Sequence, residues 1–300
     1  MTLPLGRRVV VTASATSANL GPGFDAFGLA LDWADTCSAV VVDGPAQAEV
    51  TGQSADRMPI DGRHLVIRTA VQGLASLGLD APGLELRAHN TIPHSRGLGS
   101  SSAAIVSGLG IAWGLAHPDR DPDLSWMTNL ASEIEGHPDN VAAAVHGGFT
   151  IAYAEGACVR VVGAQAHPEV GTVAYVPDNP VATSAVRQLL PATVPHADAA
   201  ANAGRAALLV LAITRRPELL HDATQDWLHT DYRRSAMPGS YELLGRLRAD
   251  GHAAVVSGAG PTVLVLGTGA QLDTLPNAVP GFARRTVGVG IGVQVRSVLG

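Results

Sequence analysis

The sequence predicts an α+β protein in two parts, and three observations carry that expectation. Strand-like and helix-like stretches alternate along the chain without settling into a regular strand–helix–strand wind. The 300 residues, 46% of them hydrophobic, are enough for one large core or two medium ones. Glu155, Gly156, Gly163 and Pro168 interrupt the pattern, which sets an N-terminal domain over 1–160 and a C-terminal domain over 161–300.

Arg8–Ser14 reads as a strand because it is rich in β-branched residues, and Ala39–Asp43 repeats the pattern. Between them Thr16–Gly28 is dense in Gly, Pro, Asn and Asp and is expected to be a loop. His64–Leu77 reads as a helix, and Gly83–Ala88 alternates as a strand. Ser100–Leu115 is apolar on every side, the mark of a buried helix. Gly97-Leu98-Gly99 offers turn freedom before it, and Ser100, Ser101 and Ser102 offer capping hydroxyls. Helices are expected over Asp123–Glu135 and from Asp139 or Asn140, then a strand over Gly147–Ala154. In the second part Thr172–Pro177 reads as a strand, and Ser184–Leu190, Ala197–Thr214 and Ser240–Asp250 read as helices. Ala253–Ser257 and Thr262–Leu266 are strands flanking Gly258-Ala259-Gly260-Pro261, and Val287–Val298 closes the chain as one strand.

Composition removes several function classes. No run approaches the roughly 18 consecutive apolar residues of a membrane span, and no apolar signal segment follows Arg7 and Arg8. Cys37 and Cys158 are too few for a disulfide framework or a zinc site, so a reducing cytoplasm is expected. A net charge of -6 disfavours nucleic acid and anionic lipid as partners. All 20 basic residues are Arg. The chain therefore has no P-loop lysine, no Schiff-base lysine and no lysine general base.

Pro93–Ala103 (PHSRGLGSSSA) carries the sharpest chemistry. Glycines let a backbone approach a ligand closely, and the unpaired N–H groups at a helix start attract anions. The stretch lacks the Gly-Lys-Ser/Thr of a Walker loop and the Gly-x-Ser-x-Gly of a hydrolase elbow. An ordinary Gly/Ser helix cap is the alternative on these residues alone. The segment resembles the second motif of the GHMP kinases. Val256–Leu266 (VSGAGPTVLVL) is similar to their third motif, and Thr12–Leu31 (TASATSANLGPGFDAFGLAL) to the first motif in its homoserine kinase form. That resemblance implies a two-lobed GHMP kinase fold, with a ribosomal-S5-like N-terminal lobe and a ferredoxin-like C-terminal lobe. It also implies ATP and Mg²⁺ as cofactors. Pro93, His94, Ser95, Arg96, Gly97, Leu98, Gly99, Ser100, Ser101, Ser102 and Ala103, with His64, Gly258 and Gly260, are then the expected ATP contacts.

The same resemblance implies that the small-molecule substrate is L-homoserine, phosphorylated on its hydroxyl in threonine biosynthesis. Asn19 and Asp25 are expected to hold the amino acid, with Asp25 on the ammonium. Ala182–Pro191 and His229–Gly239 resemble the segments that supply Thr183, Arg187 and Arg233, and the two arginines are expected to clamp the carboxylate. Glu133–Phe149 resembles the family's H-x-D-N-V-A signature, which adds His137 to the substrate set and Asn140 as a catalytic residue; the resemblance as a whole also implies Gly258 in the substrate set and Arg187 and Ser101 as catalytic residues. Glu133, with Ser101, is the expected Mg²⁺ ligand, and Glu135 is its competitor. Two features depart from the family: His64 stands where many relatives carry Asn, and Ala142-Ala143-Ala144 replaces Ala-Pro-Ala. A homodimer is an open option. Another GHMP kinase, a non-catalytic ligand sensor on the same fold and a dehydrogenase are the rival readings.

Overall fold

The computed structural model of the protein describes residues 2–181 and 186–298. The chain opens with two long antiparallel strands, β1 (Arg8–Asn19) and β2 (Gly23–Val41), joined by a tight turn at Leu20, Gly21 and Pro22. There follow β3 (Gln47–Gly52), α1 (Leu65–Ser76), β4 (Leu84–Asn90), α2 (Ser100–Ala116), α3 (Leu124–Glu135), α4 (Asp139–His146), β5 (Phe149–Glu155) and β6 (Cys158–Ala164). The second half contains β7 (Gly171–Pro177), α5 (His196–Thr214), α6 (Leu220–Ala223), α7 (Pro238–Ala249), β8 (Ala253–Val256), β9 (Val263–Gly267), α8 (Gly269–Asp273), β10 (Phe282–Val287) and β11 (Gln294–Val298).

Seven strands form one sheet in the order β11-β1-β2-β4-β3, with β5 added to β2 and β6 to β5. One face is buried: along β4, Leu84, Leu86 and Ala88 turn inward while Glu85, Arg87 and His89 turn out. Helices α1 to α4 cover the inward face, and α2 lies at their centre with Leu109, Ile111 and Leu115 at 1% exposure or less. Four antiparallel strands form the second sheet, β10-β7-β9-β8. Leu243, Leu244 and Leu247 of α7 pack on its Val256, Val263 and Val265. Helix α5 is long and apolar enough, by length and composition alone, to cross a membrane. In the fold it seats Leu209, Ala212 and Ile213 in the core, and Asn202 Nδ2 donates to the Pro22 carbonyl at 2.8 Å.

Several expectations are corrected. The Gly/Pro-rich stretch from Thr16 to Gly28 is mostly strand, because β1 runs to Asn19 and β2 begins at Gly23. Two register shifts, at Ser14/Ala15 and Ala18/Asn19, let the ladder absorb the irregular residues. The serines do not cap α2. Gly99 is its N-cap, at φ +66°, and the serines occupy its first turn. Val287–Val298 is not one strand: β10 ends at Val287 and β11 begins at Gln294. Beyond residue 160, β6 extends the first sheet to Ala164 and β11 returns to pair with β1. Strands β3 and β6, which alternate only between exposed and half-buried positions, are absent from the sequence expectations. The helix expected over Ser184–Leu190 lies partly outside the described residues.

Candidate active site

A cavity of about 310 Å³ opens where the start of α2 meets the β1–β2 turn and the β8–β9 turn. Both sheets hold the loop that enters α2. The Leu98 carbonyl accepts the Thr16 N–H at 3.0 Å, and Ser257 Oγ donates to the Gly97 carbonyl. The Ser95 and Arg96 carbonyls accept the N–H groups of Val181 and Thr262 at 3.1 and 3.2 Å. Gly97 (φ +73°) and Gly99 are obligatory here, because a Cβ would sit 2.2 Å from the Ser257 carbonyl oxygen and 1.9 Å from Thr16 Oγ1. The loop thus presents Gly99, Ser100 and Ser101, with the positive end of α2 behind them, to the cavity.

Glu135 faces that helix start. Ser101 Oγ donates to its two oxygens at 2.8 and 2.6 Å, and Ser102 Oγ donates to one of them at 3.1 Å. Glu133 does not face it. It is exposed and lines a different groove, with Trp126 and Cys158. Of the expected metal carboxylate and its competitor, the structure brings Glu135, and not Glu133, to the helix start, because two positions apart on one helix point to different faces. No cluster of three or more His, Cys, Asp or Glu side chains suited to a metal exists among the described residues.

The other wall of the cavity carries Asn19, His137, Asn140, Arg187, Arg233 and Gly258. Asn19 Nδ2 donates to the Gly258 carbonyl at 3.0 Å, and Asn19 Oδ1 accepts the Asp25 N–H at 3.0 Å. Asp25 is paired with Arg187 through both oxygens, at 2.6 and 3.3 Å. Arg233 is 2% exposed; its Nη1 donates to the Gly258 carbonyl at 3.1 Å, and its Nε has no partner among the described residues. Burial, reinforced by the Arg187 charge, lowers the Arg233 pKa to about 10, so it stays a cation at neutral pH. The Phe24 ring, absent from the sequence expectations, lies 5.9 Å from the Arg187 guanidinium and 5.7 Å from that of Arg233, and stacks on His229. Asp139, 2% exposed, accepts from the Asn140 N–H at 2.7 Å and lies 2.8 Å from His137 Nδ1. Burial opposes charge on His137, but the hydrogen bond and charge of Asp139 outweigh it and raise its pKa. Thr16 Oγ1 donates to Asn140 Oδ1 at 2.8 Å and so ties β1 to α4.

A second cavity, about 300 Å³, shares Ser95, Ser100 and Ser101 with the first and continues past His64 and His94 between Met58, Pro59, Val66 and Ala104. Both ring nitrogens of His64 are buried without a partner among the described residues, and burial, aided by nearby His94, lowers its pKa. It is a neutral imidazole with one donor and one acceptor free. Several expected contacts fall outside both cavities. Arg96 turns away, donating to the carbonyls of His94, Pro177 and Asp178. Ala103 is fully buried, and Pro93, Ser102 and Gly260 shape the loop without lining either cavity. Thr183 lies outside the described residues.

An anion-binding helix start, an acid beside it and a facing acid-and-arginine wall, set between an S5-like and a ferredoxin-like lobe, define a small-molecule kinase of GHMP type. The family model for the GHMP kinases N terminal domain matches residues 64–148, and that for GHMP kinases C terminal matches residues 206–283. The homoserine kinase of Cutibacterium acnes is 49% identical over 290 residues, covering 95% of this chain and 98% of that protein. The homoserine kinase of Streptomyces avermitilis is 50% identical over 266 residues, covering 88% and 87%. In fold, the chain is similar to the crystal structure of homoserine kinase from Cytophaga hutchinsonii (TM-score 0.81, 24% identity, 96% and 97% covered). It is also similar to a mevalonate diphosphate decarboxylase from Staphylococcus aureus (TM-score 0.65, 14% identity, 96% and 98% covered). The chain belongs to the homoserine kinase family of the GHMP kinases. Since one fold serves both kinases and a decarboxylase, the site must decide the chemistry.

Proposed function

We propose that this protein transfers the γ-phosphoryl group of ATP to the hydroxyl of L-homoserine, giving O-phospho-L-homoserine. The observation that carries this reading is a single cavity with an anion-binding helix start on one wall and Asn19, Arg187 and Arg233 on the other. Those side chains, with Asp25 behind Arg187, complement a zwitterion and not a neutral sugar or an isolated carboxylate. The nucleotide base takes the apolar cavity at His64, and the phosphates run over Ser100 and Ser101. Glu135 and Ser101 suit Mg²⁺, because that ion takes one or two carboxylates and completes its shell with water and phosphate. When bound, Mg²⁺ neutralises charge on the transferring phosphate.

The protein's own work is positioning and electrostatics. Asp25 takes the ammonium of homoserine, and Arg187 and Arg233 take its carboxylate. Asn140, held by Thr16 and Asp139, orients the hydroxyl, and His137 closes the site beside it. The hydroxyl oxygen attacks the γ-phosphorus as the bond to the bridging oxygen of ADP breaks. Asp139 is committed to His137 and Asn140 and no Lys exists, so the hydroxyl proton leaves on a phosphoryl oxygen. The test is coupled ADP release with Mg-ATP and L-homoserine, D-homoserine, L-serine, L-threonine, mevalonate or galactose. A strong preference for L-homoserine is expected, and turnover only of an acceptor without the amino-acid head overturns the proposal.

A further inference from the structure

The two groups that a zwitterionic substrate needs are already joined to each other. Asp25 stands on β2 of the first sheet, and Arg187 follows the second-sheet strand β7 in the chain. Their bidentate pair bridges these segments at 2.6 and 3.3 Å, each side chain 36% exposed. Arg187 lines the cavity and Asp25 does not, so the guanidinium stands between the carboxylate and the bound substrate. Asp25 is fixed from behind, its N–H on Asn19 Oδ1 and its backbone at φ +55°. Arg233 is fixed too, by burial and by Gly258. Of the two arginines, Arg187 is the one whose side-chain hydrogen bonds, among the described residues, all go to Asp25.

Resting on the amino-acid reading of this cleft, we propose that the Asp25–Arg187 pair is an exchange latch that selects zwitterions. The incoming ammonium takes Asp25 while the incoming carboxylate takes Arg187, so one ion pair is exchanged for two. An acceptor with a single charge opens the same pair and leaves a partner unpaired in a half-buried site, which is costly. A neutral acceptor has nothing with which to open it. Selection thus comes from the empty site's own countercharge, in addition to the contacts made in the complex.

The latch has a readout that needs no turnover. Phenylglyoxal labels free guanidiniums, and peptide mass spectrometry reports the rate at Arg187 against that at Arg68, which is exposed and makes no ion pair among the described residues. In the ligand-free wild-type enzyme Arg187 should label slowly. In Asp25→Asn, which tolerates the positive φ, it should label about 5-fold faster, the size a partly exposed bidentate pair supports. Equal rates in the two proteins overturn the latch. Inhibition by 4-hydroxybutanoate, which carries no ammonium to meet Asp25, then tests selection. It should tighten in Asp25→Asn by about the same 5-fold factor, because the variant leaves Arg187 already released. Faster labelling without tighter inhibition overturns the selection step while the ion pair stands; the amino-acid reading is overturned separately, by turnover only of acceptors without the amino-acid head.

Discussion

Replacing Glu135 by Gln removes one charge and alters little else, which makes it the decisive perturbation of the phosphate site. Glu135 accepts three hydrogen bonds from Ser101 and Ser102 at the start of α2. Gln keeps one acceptor oxygen, and the Ser101 and Glu135 atoms are solvent-exposed, so stability should change by no more than about 1 kcal/mol. Catalysis should change far more. A metal-held carboxylate supports charge stabilisation of several kcal/mol, and losing about 3–4 kcal/mol of it lowers kcat/KM roughly 100- to 1,000-fold. The assay is coupled ADP release across a Mg²⁺ titration, with Glu133→Gln in parallel. Glu133 is outside the cleft, and its variant should stay within about 2-fold of wild type, as surface changes do. If E135Q remains within about 3-fold at saturating Mg²⁺, on a scale where 1.4 kcal/mol is tenfold, or if E133Q is the variant that fails, the assignment of this carboxylate is wrong.

Three further outcomes follow from other parts of the structure. Gly99→Ala should destabilise by about 2–3 kcal/mol, from the positive φ and the broken Thr16–Asn140 bond; a denaturant midpoint unchanged from wild type refutes the close approach. Asn202→Ala should cost about 1–3 kcal/mol, because the buried amide bonds the Pro22 carbonyl and the Trp227 N–H; differential scanning calorimetry measures it, and a melting temperature within error of wild type refutes it. Acid should also weaken the fold before carboxylates titrate. His64, His94, His146 and His229 all have pKa values lowered by burial, so the unfolded chain binds their protons first and stability declines as pH falls below 6.5. His137 opposes this, its contribution being full below 6.5 and lost as pH rises through its raised value. With four groups against one, the urea midpoint should drop between pH 7.5 and 5.5, and a flat or rising midpoint refutes the assignment.

What the sequence could and could not show follows from the range of each interaction. The buried helix α2 was readable because its burial is written in seventeen local residues, and the anion site because glycines and serines stand next to it. The choice between Glu133 and Glu135 was not readable, since it depends on the rotation of α3 against α2, which only packing sets. The strand character of Thr16–Asn19 was hidden for a related reason: a turn-rich composition is overridden when both sides of the hairpin pair across twelve register positions. Phe24 offered no signal at all. Its role comes from two arginines and a histidine that arrive from residues 187, 229 and 233. The Asp25–Arg187 pair spans 162 positions in sequence, and two residues matched separately to a family motif carry no hint that they touch when the site is empty.

The exclusive use of arginine bears on the site as well as on composition. Arg233 loses almost all contact with solvent, and that burial, with the Arg187 charge beside it, lowers its pKa to about 10. A lysine starts about two units lower in water, so the same burial brings it toward neutrality in the pH range where, on the proposed function, this position holds a carboxylate. Arginine is thus the cation that can be buried here and remain charged. Arg233→Lys should raise KM for L-homoserine at pH 7 and raise it further as pH climbs to 9, while wild-type KM stays flat over the same range. The growing difference, and not the loss at one pH, separates a missing charge from a missing hydrogen bond. A KM in Arg233→Lys that is high but constant from pH 7 to 9 would show that geometry at Gly258, and not retained charge, is what this position supplies.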